Sequence, residues 1–259
     1  MHKKVLVERR GNVSVVSLNR PKAYNAFDVE AIRSLKDILV DLSLDRSASG
    51  VVLTGKGSAF CAGGDLKWVA SYKEEYGDAF YELAAIYHQA ILEIRRMPKP
   101  VVAAINGLAA GGGFSMALAC DFRIMESSAV LKQAYTSNGL SIDGGGTFML
   151  PRIVGVSKAM EIAVFDPTIP ADKALEWGLV TEVVEDGQSL DAAIELVRQI
   201  TSGALYSFSA SKTLINDSLN NSLEVQLEQE RRWLARCADH PNGREGISAF
   251  VEKRKPEFA

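Results

Sequence analysis

Two glycine-rich runs, each directly behind a short apolar strand, constrain this chain more than any other feature. The first is Ala59-Phe60-Cys61-Ala62-Gly63-Gly64-Asp65-Leu66. The second runs from Ala103 through Asn106-Gly107 to Gly111-Gly112-Gly113 and opens a helix. Lacking a Cβ, glycine lets another backbone or a ligand come close, and such turns leave N–H groups free to donate. At a helix N-terminus those donors add to the positive end of the helix dipole, which favours developing negative charge. Two loops that each offer one N–H are a candidate oxyanion hole for a carbonyl oxygen. For either run alone, tight helix–strand packing is the simpler reading. The two together, in this order, favour a site.

Rival motifs are weaker. Gly55-Lys56-Gly57-Ser58-Ala59-Phe60 begins like a dinucleotide-binding turn but ends in Phe, and another glycine loop follows it rather than a helix. No phosphate loop of the G-x-x-x-x-G-K-[ST] type is present. Gly113-Phe114-Ser115-Met116-Ala117 approaches the nucleophile elbow but ends in alanine, leaving a Ser115–His88–Asp143 hydrolase as a minor alternative. Val101 to Cys120 is 20 residues without a charge, long enough to span a bilayer. It nevertheless holds Asn106, Ser115 and four glycines and is dominated by alanine. A buried strand, a turn and a small-residue helix are expected there, and no membrane span.

The chain has 259 residues, 47% hydrophobic and 24% charged, an ordinary globular balance that excludes disordered and repeat classes. A net charge of −3 offers no basic excess to hold a phosphate backbone, so nucleic acid is not expected as a partner. Cys61, Cys120 and Cys237 are far apart and odd in number, and the histidines are only His2, His88 and His240. Neither a disulfide framework nor a metal site is expected, and a reducing cytoplasm fits best. Charges at Lys3, Lys4 and Glu8–Arg10 interrupt any signal-like apolar core.

Val5–Val7 and Val13–Leu18 flank Arg10-Gly11-Asn12 and read as a hairpin. Asp28 can cap a helix whose apolar positions are Ile32, Leu35, Leu39 and Leu42. A strand over Gly50–Thr54, a helix over Asp78–Arg96 stopped by Pro98 and Pro100, and strands at Val101–Ile105 and Phe122–Met125 follow. Strands alternating with helices predict an α/β layered fold. From Ser189 onward the pattern is helical. There Asn221 with Glu224 suggests a capping box, and Leu223, Leu227 and Leu234 suggest an apolar stripe for core packing or subunit contacts. The expected organisation is an α/β core over 1–188 and a helical region over 189–259.

Taken together these residues resemble the crotonase (enoyl-CoA hydratase/isomerase) superfamily. The likeness runs from Leu18-Asn19-Arg20-Pro21-Lys22-Ala23-Tyr24-Asn25-Ala26 through Phe60–Leu66, Pro98-Lys99-Pro100-Val101, Gly111–Gly113 and Asp121. It continues in Gly144-Gly145-Gly146-Thr147, Leu150-Pro151-Arg152, Ala174–Val180 and Arg244–Phe250. The resemblance implies a spiral of ββα repeats with C-terminal helices that build a homotrimer or a dimer of trimers. It implies a cytoplasmic enzyme acting on acyl-CoA thioesters, with no cofactor beyond the CoA carried by the substrate. The oxyanion donors it implies are the N–H groups of Ala62 and Gly112. Lys22, Ala23, Gly63, Gly64, Asp65 and Leu66 would lie along the CoA, and Phe250 and Lys253 would reach a CoA in a neighbouring subunit. The acyl pocket would be lined within about Trp68–Phe80 and Tyr135–Phe148.

Members that add water use two glutamates, and the matching places here hold Ser115 and Tyr135, so paired-carboxylate hydration is in doubt. Asp143, in Leu140-Ser141-Ile142-Asp143-Gly144-Gly145, is either an N-cap of the next helix or an acid/base group. Similarity to isomerases of enoyl-CoA and of ring-oxidised phenylacetyl-CoA favours acid/base. Burial beside Ile142 and Phe148 would suit it to that task. Enoyl-CoA isomerase is the first expectation, and a hydratase-type lyase the second. A third is a 4-chlorobenzoyl-CoA dehalogenase-like hydrolase, in which Asp143 attacks the ring, His88 activates water and Tyr135 stands where those enzymes have Trp. A non-catalytic acyl-CoA- or RNA-binding homologue is the remaining class.

Overall fold

The computed structural model describes residues 3–73 and 75–258; Met1, His2, Glu74 and Ala259 lie outside the described residues. The hairpin forms as expected: β1 (Val5–Arg10) pairs antiparallel with β2 (Val13–Leu18), Val5 opposite Leu18. Helix α1 (Val29–Leu44) begins where the Asp28 carboxylate accepts the Ala31 N–H at 2.9 Å, and it buries Ile32, Leu35, Leu39 and Leu42.

Three strand–strand–helix turns then follow. In the first, β3 (Gly50–Gly55) and β4 (Ala59–Cys61) lead to α2 (Leu66–Ala70) and α3 (Tyr76–Arg96). In the second, β5 (Val101–Ile105) and β6 (Leu108–Ala110) lead to α4 (Gly112–Ala119). In the third, β7 (Phe122–Glu126) and β8 (Val130–Lys132) lead to α5 (Gly146–Phe165). The first strand of each pair joins one sheet and the second strand joins another, parallel to its counterpart from the neighbouring turn. With β9 (Ile169–Pro170), α6 (Ala171–Glu176) and β10 (Glu182–Val184) the sheets run β1-β2-β3-β5-β7-β10 and β4-β6-β8-β9. This is the α/β spiral of ββα repeats.

The residue pattern alone does not mark the strands β4, β6 and β8, which only the family resemblance implies. Each is three residues long, too short to show a period of two, and each exists because the next turn supplies its partner.

Helix α7 (Ser189–Thr201) lays Ala193, Ile194 and Val197 on Val13, Val15, Val52, Val102 and Ile124, so the helical run begins on the sheet rather than apart from it. Helix α8 (Leu205–Ser218) is held by the buried Lys212. Its ammonium donates to the carbonyls of Ile94 and Lys99 at 3.1 Å each and to Asp121 Oδ2 at 2.8 Å. Asp121 in turn accepts the Val101 N–H at 2.8 Å. Helices α9 (Leu223–Asp239) and α10 (Pro241–Glu252) stand away from the sheets and expose Leu223, Leu227, Leu234, Ile247 and Phe250. The cap of α9 is Ser222, whose hydroxyl accepts the Val225 N–H; Asn221 instead donates to the Gln226 side chain. Among the described residues no helix is long and apolar enough to cross a membrane.

Candidate active site

The two glycine runs meet backbone to backbone. A Cβ placed on Gly113 would stand 2.0 Å from the Cys61 carbonyl oxygen, and one on Gly63 would stand 2.7 Å from the Gly112 nitrogen. No side chain fits at that contact. The approach is fixed from both sides. Phe27 N–H donates to the Gly63 carbonyl at 2.8 Å, Asp65 N–H to the Phe27 carbonyl at 2.9 Å, and Gly111 N–H to the Lys132 carbonyl at 3.1 Å.

Following each N–H to its acceptor corrects one expectation. The Ala62 N–H donates to the Tyr24 carbonyl at 3.0 Å, so it is not free for a ligand. Among the described residues no acceptor takes the N–H of Gly64 or of Gly112, the first residue of α4. Both glycines line a cavity of about 340 Å³, and Ala62 does not. The available donor in the first loop is thus two residues beyond Ala62. The pairing of this loop with Tyr24 and Phe27 decides which amides remain, and sequence spacing does not reveal that pairing.

Asp143 reaches the same cavity, together with Leu140, Ser141 and Ile142. It does not cap α5: the N-cap is Gly145, which makes no side-chain cap, and Asp143 contributes only its carbonyl, to the Gly146 N–H. Its Oδ1 lies 2.5 Å from His88 Nε2, with side-chain exposures of 36% and 52%. The expected burial beside Ile142 and Phe148 is therefore not what the structure gives. The carboxylate stays open on a histidine, and the Phe148 ring is occupied by Arg152 stacked 3.5 Å above it.

Tyr135 forms another part of the wall. Burial pushes its phenol well above the usual range and the Asp143 charge adds to this, while the Asp143 N–H pulls the other way. Tyr135 is accordingly a neutral phenol at physiological pH. The Ser115 hydroxyl is fully buried and has no hydrogen-bond partner among the described residues. His88 bonds Asp143, but among the described residues the Ser115 hydroxyl has no hydrogen-bond partner, so the serine end of a Ser–His–Asp triad is not assembled.

Other expected binding residues lie around this centre. Lys22 and Ala23 form the 3-10 turn before Tyr24, whose carbonyl anchors Ala62. The Asp65 carboxylate is taken up in holding its own loop: it accepts the N–H groups of Lys67 at 3.0 Å and Trp68 at 3.3 Å, and Arg20 at 2.8 Å. Leu66 opens α2 and is exposed, as is Phe250; neither they nor Lys253, at the end of α10, line the cavity. A further wall of the cavity is Gly77, Phe80, Tyr81, Leu83, Ala84 and Tyr87 on α3; Gly77 and Phe80 fall within the stretch expected from sequence and the other four lie beyond it. Tyr87 escapes notice in the sequence because it shares the core stripe of α3 with Leu83, Ala90, Ile91 and Ile94. Among the described residues no group of three His, Cys, Asp or Glu side chains could hold a metal ion.

These features have counterparts among known proteins. The family described as enoyl-CoA hydratase/isomerase matches residues 8–259, and the chain belongs to that family, the crotonase superfamily. It is 36% identical to 1,2-epoxyphenylacetyl-CoA isomerase of Escherichia coli, over 95% of this chain and 94% of that one. It is 32% identical to 4-chlorobenzoyl coenzyme A dehalogenase-2 of an Arthrobacter species, over 96% of this chain and 91% of that one. The crystal structure of an enoyl-CoA hydratase from Polaromonas sp. JS666 superposes with a TM-score of 0.93 at 35% identity, covering 98% of this chain and 99% of that one. One scaffold thus carries proteins named as isomerase, dehalogenase and hydratase.

Proposed function

We propose that this protein is an acyl-CoA isomerase that moves a carbon–carbon double bond next to the thioester, with Asp143 as the acid/base group. The observation that carries this reading is one cavity lined by Gly64 and Gly112, whose N–H groups have no acceptor among the described residues, and by the Asp143 carboxylate. In a 3-enoyl-CoA the Asp143 carboxylate takes a proton from the carbon next to the thioester. The electron pair moves onto the thioester oxygen, which the two N–H groups stabilise as an enolate. Return of the same proton two carbons along places the double bond in conjugation and regenerates the carboxylate. No water is consumed, which suits a site with Ser115 and Tyr135 where paired glutamates would activate water.

The test is Asp143→Asn assayed with 3-hexenoyl-CoA. A loss of at least about a thousand-fold in kcat is expected from removal of the proton carrier. Undiminished turnover would eliminate this role for Asp143.

The 2.5 Å contact between His88 and Asp143, with the likeness to the dehalogenase, favours a second reading. Asp143 would attack a halogenated ring carbon, expel halide to leave an aryl ester, and His88 would take a proton from the water that hydrolyses it. Chloride release from 4-chlorobenzoyl-CoA distinguishes this from double-bond migration.

The assembly we propose is a trimer or a dimer of trimers. The exposed apolar residues of α9 and α10 support it, and in such an assembly Phe250 and Lys253 would approach a neighbour's CoA. Light scattering of the purified protein tests it, and a monomeric mass at micromolar concentration would overturn it.

A further inference from the structure

Three consecutive glycines at the start of α4 present a mechanical difficulty. Gly111, Gly112 and Gly113 have no side chains that neighbours can grip, and Gly111 sits at φ 53°, ψ −127°, a conformation that only glycine adopts readily. An amide aimed at a reacting oxygen works only if it is held in place beforehand. Something outside the turn has to hold it.

Tyr87 is placed to do this. Its ring is buried in α3, lies 4.8 Å from the Phe27 ring, and sends its hydroxyl to the Gly112 carbonyl at 2.5 Å. Burial keeps that phenol protonated and therefore a donor. The same ring lies against the backbone beside the acid/base group: a Cβ on Gly144 would stand 2.3 Å from Tyr87 Cε1. The next residue, His88, contacts Asp143. One step of α3 therefore touches both the glycine turn and the loop that carries Asp143.

We propose that Tyr87 is a positioning residue that fixes the Gly112 amide as an oxyanion donor and sets its spacing from Asp143. This rests on the reading that the cavity polarises a thioester carbonyl, and the experiment separates the two. The carbonyl carbon of bound [1-13C]hexanoyl-CoA, and of [1-13C]phenylacetyl-CoA as a second probe, is followed by 13C NMR in the wild type and in Tyr87→Phe. Polarisation moves this resonance downfield of its position in free solution.

In the wild type a downfield shift is expected. Tyr87→Phe should lose about half of it and lower kcat roughly ten-fold, with KM changed less than about three-fold. Replacement of Tyr87 by 4-aminophenylalanine, which keeps the ring and a weaker donor, should restore part of the shift. This second variant also decides the matter if Tyr87→Phe fails to fold. A full wild-type shift retained in Tyr87→Phe, or no recovery with the amino analogue, overturns the role of Tyr87 and leaves the oxyanion reading intact. A wild type that binds neither probe, or leaves both carbonyls at their solution positions, removes the oxyanion reading and the role of Tyr87 with it.

Discussion

His88 Nε2 lies 2.5 Å from Asp143 Oδ1, joining α3 to the loop before α5 across 55 residues of sequence. A half-exposed carboxylate has several rotamers open to it, and a hydrogen bond from an imidazole N–H selects one. In His88→Gln the amide can still donate but holds the carboxylate less firmly. With 3-hexenoyl-CoA, kcat is expected to fall about ten- to a hundred-fold with little change in KM, the pattern for orientation lost in the transition state. Steady-state kinetics at neutral pH check this.

The glycine contacts predict a sharp contrast between one glycine of each run. A Cβ on Gly64 would meet only the end of the Leu83 side chain, at 3.2 Å, and that flexible tip can move aside. On Gly113 it would meet the Cys61 carbonyl at 2.0 Å. Gly64→Ala should therefore fold with a Tm within a few degrees of the wild type. Gly113→Ala should be strongly destabilised or insoluble, because backbone has to shift. Thermal melts of the pair check it.

Lys212 is one of the links between α8 and the body of the protein, beside the Arg95–Asn216 pair. Replacing it with Met leaves the buried Asp121 carboxylate without its cation, a change that typically costs about 3–5 kcal/mol. Burial pushes the Asp121 carboxyl up even with Lys212 beside it, so removing the ammonium makes the ionised form costlier still. Urea denaturation of Lys212→Met should show a midpoint lowered to match.

Asp28 gives a pH signature. Burial alone would raise its carboxyl, but the Lys4 hydrogen bond, the Ala31 N–H and the Arg20 charge outweigh that and hold it below its ordinary value. The unfolded chain therefore binds this proton first as pH falls. The stabilisation is complete above the unfolded value near 3.8 and disappears as pH drops through the lower folded-state value. Asp28→Asn keeps a capping side chain but loses the charge. It should be less stable at neutral pH and show a shallower loss below about pH 4 in denaturation midpoints taken across the acid range.

Much of the architecture can be read from the chain, because the hairpin, the Asp28 cap and the stripe Ile32, Leu35, Leu39, Leu42 are local signals that tertiary structure leaves unchanged. The three-residue strands could not be read this way, since Leu108–Ala110 becomes a strand only through β4 and β8 beside it. The site divides along the same line. The glycine runs and Asp143 stand out by composition, while the choice of Gly64 over Ala62 depends on Tyr24 drawing off one amide. Tyr87 looks like any other core aromatic until its hydroxyl is found on Gly112.

The touching glycine loops also bear on how such a scaffold can change its chemistry. Main-chain amides cannot be exchanged by a codon change, and the loops that carry them tolerate almost no added atoms at their point of contact. Innovation is thereby channelled to the surrounding walls, where Tyr135 and Asp143, with Ser115 and His88 beside them, are ordinary side chains on an unaltered floor. Anyone redirecting this scaffold toward another reaction has a small palette to vary and a fixed ground to vary it on.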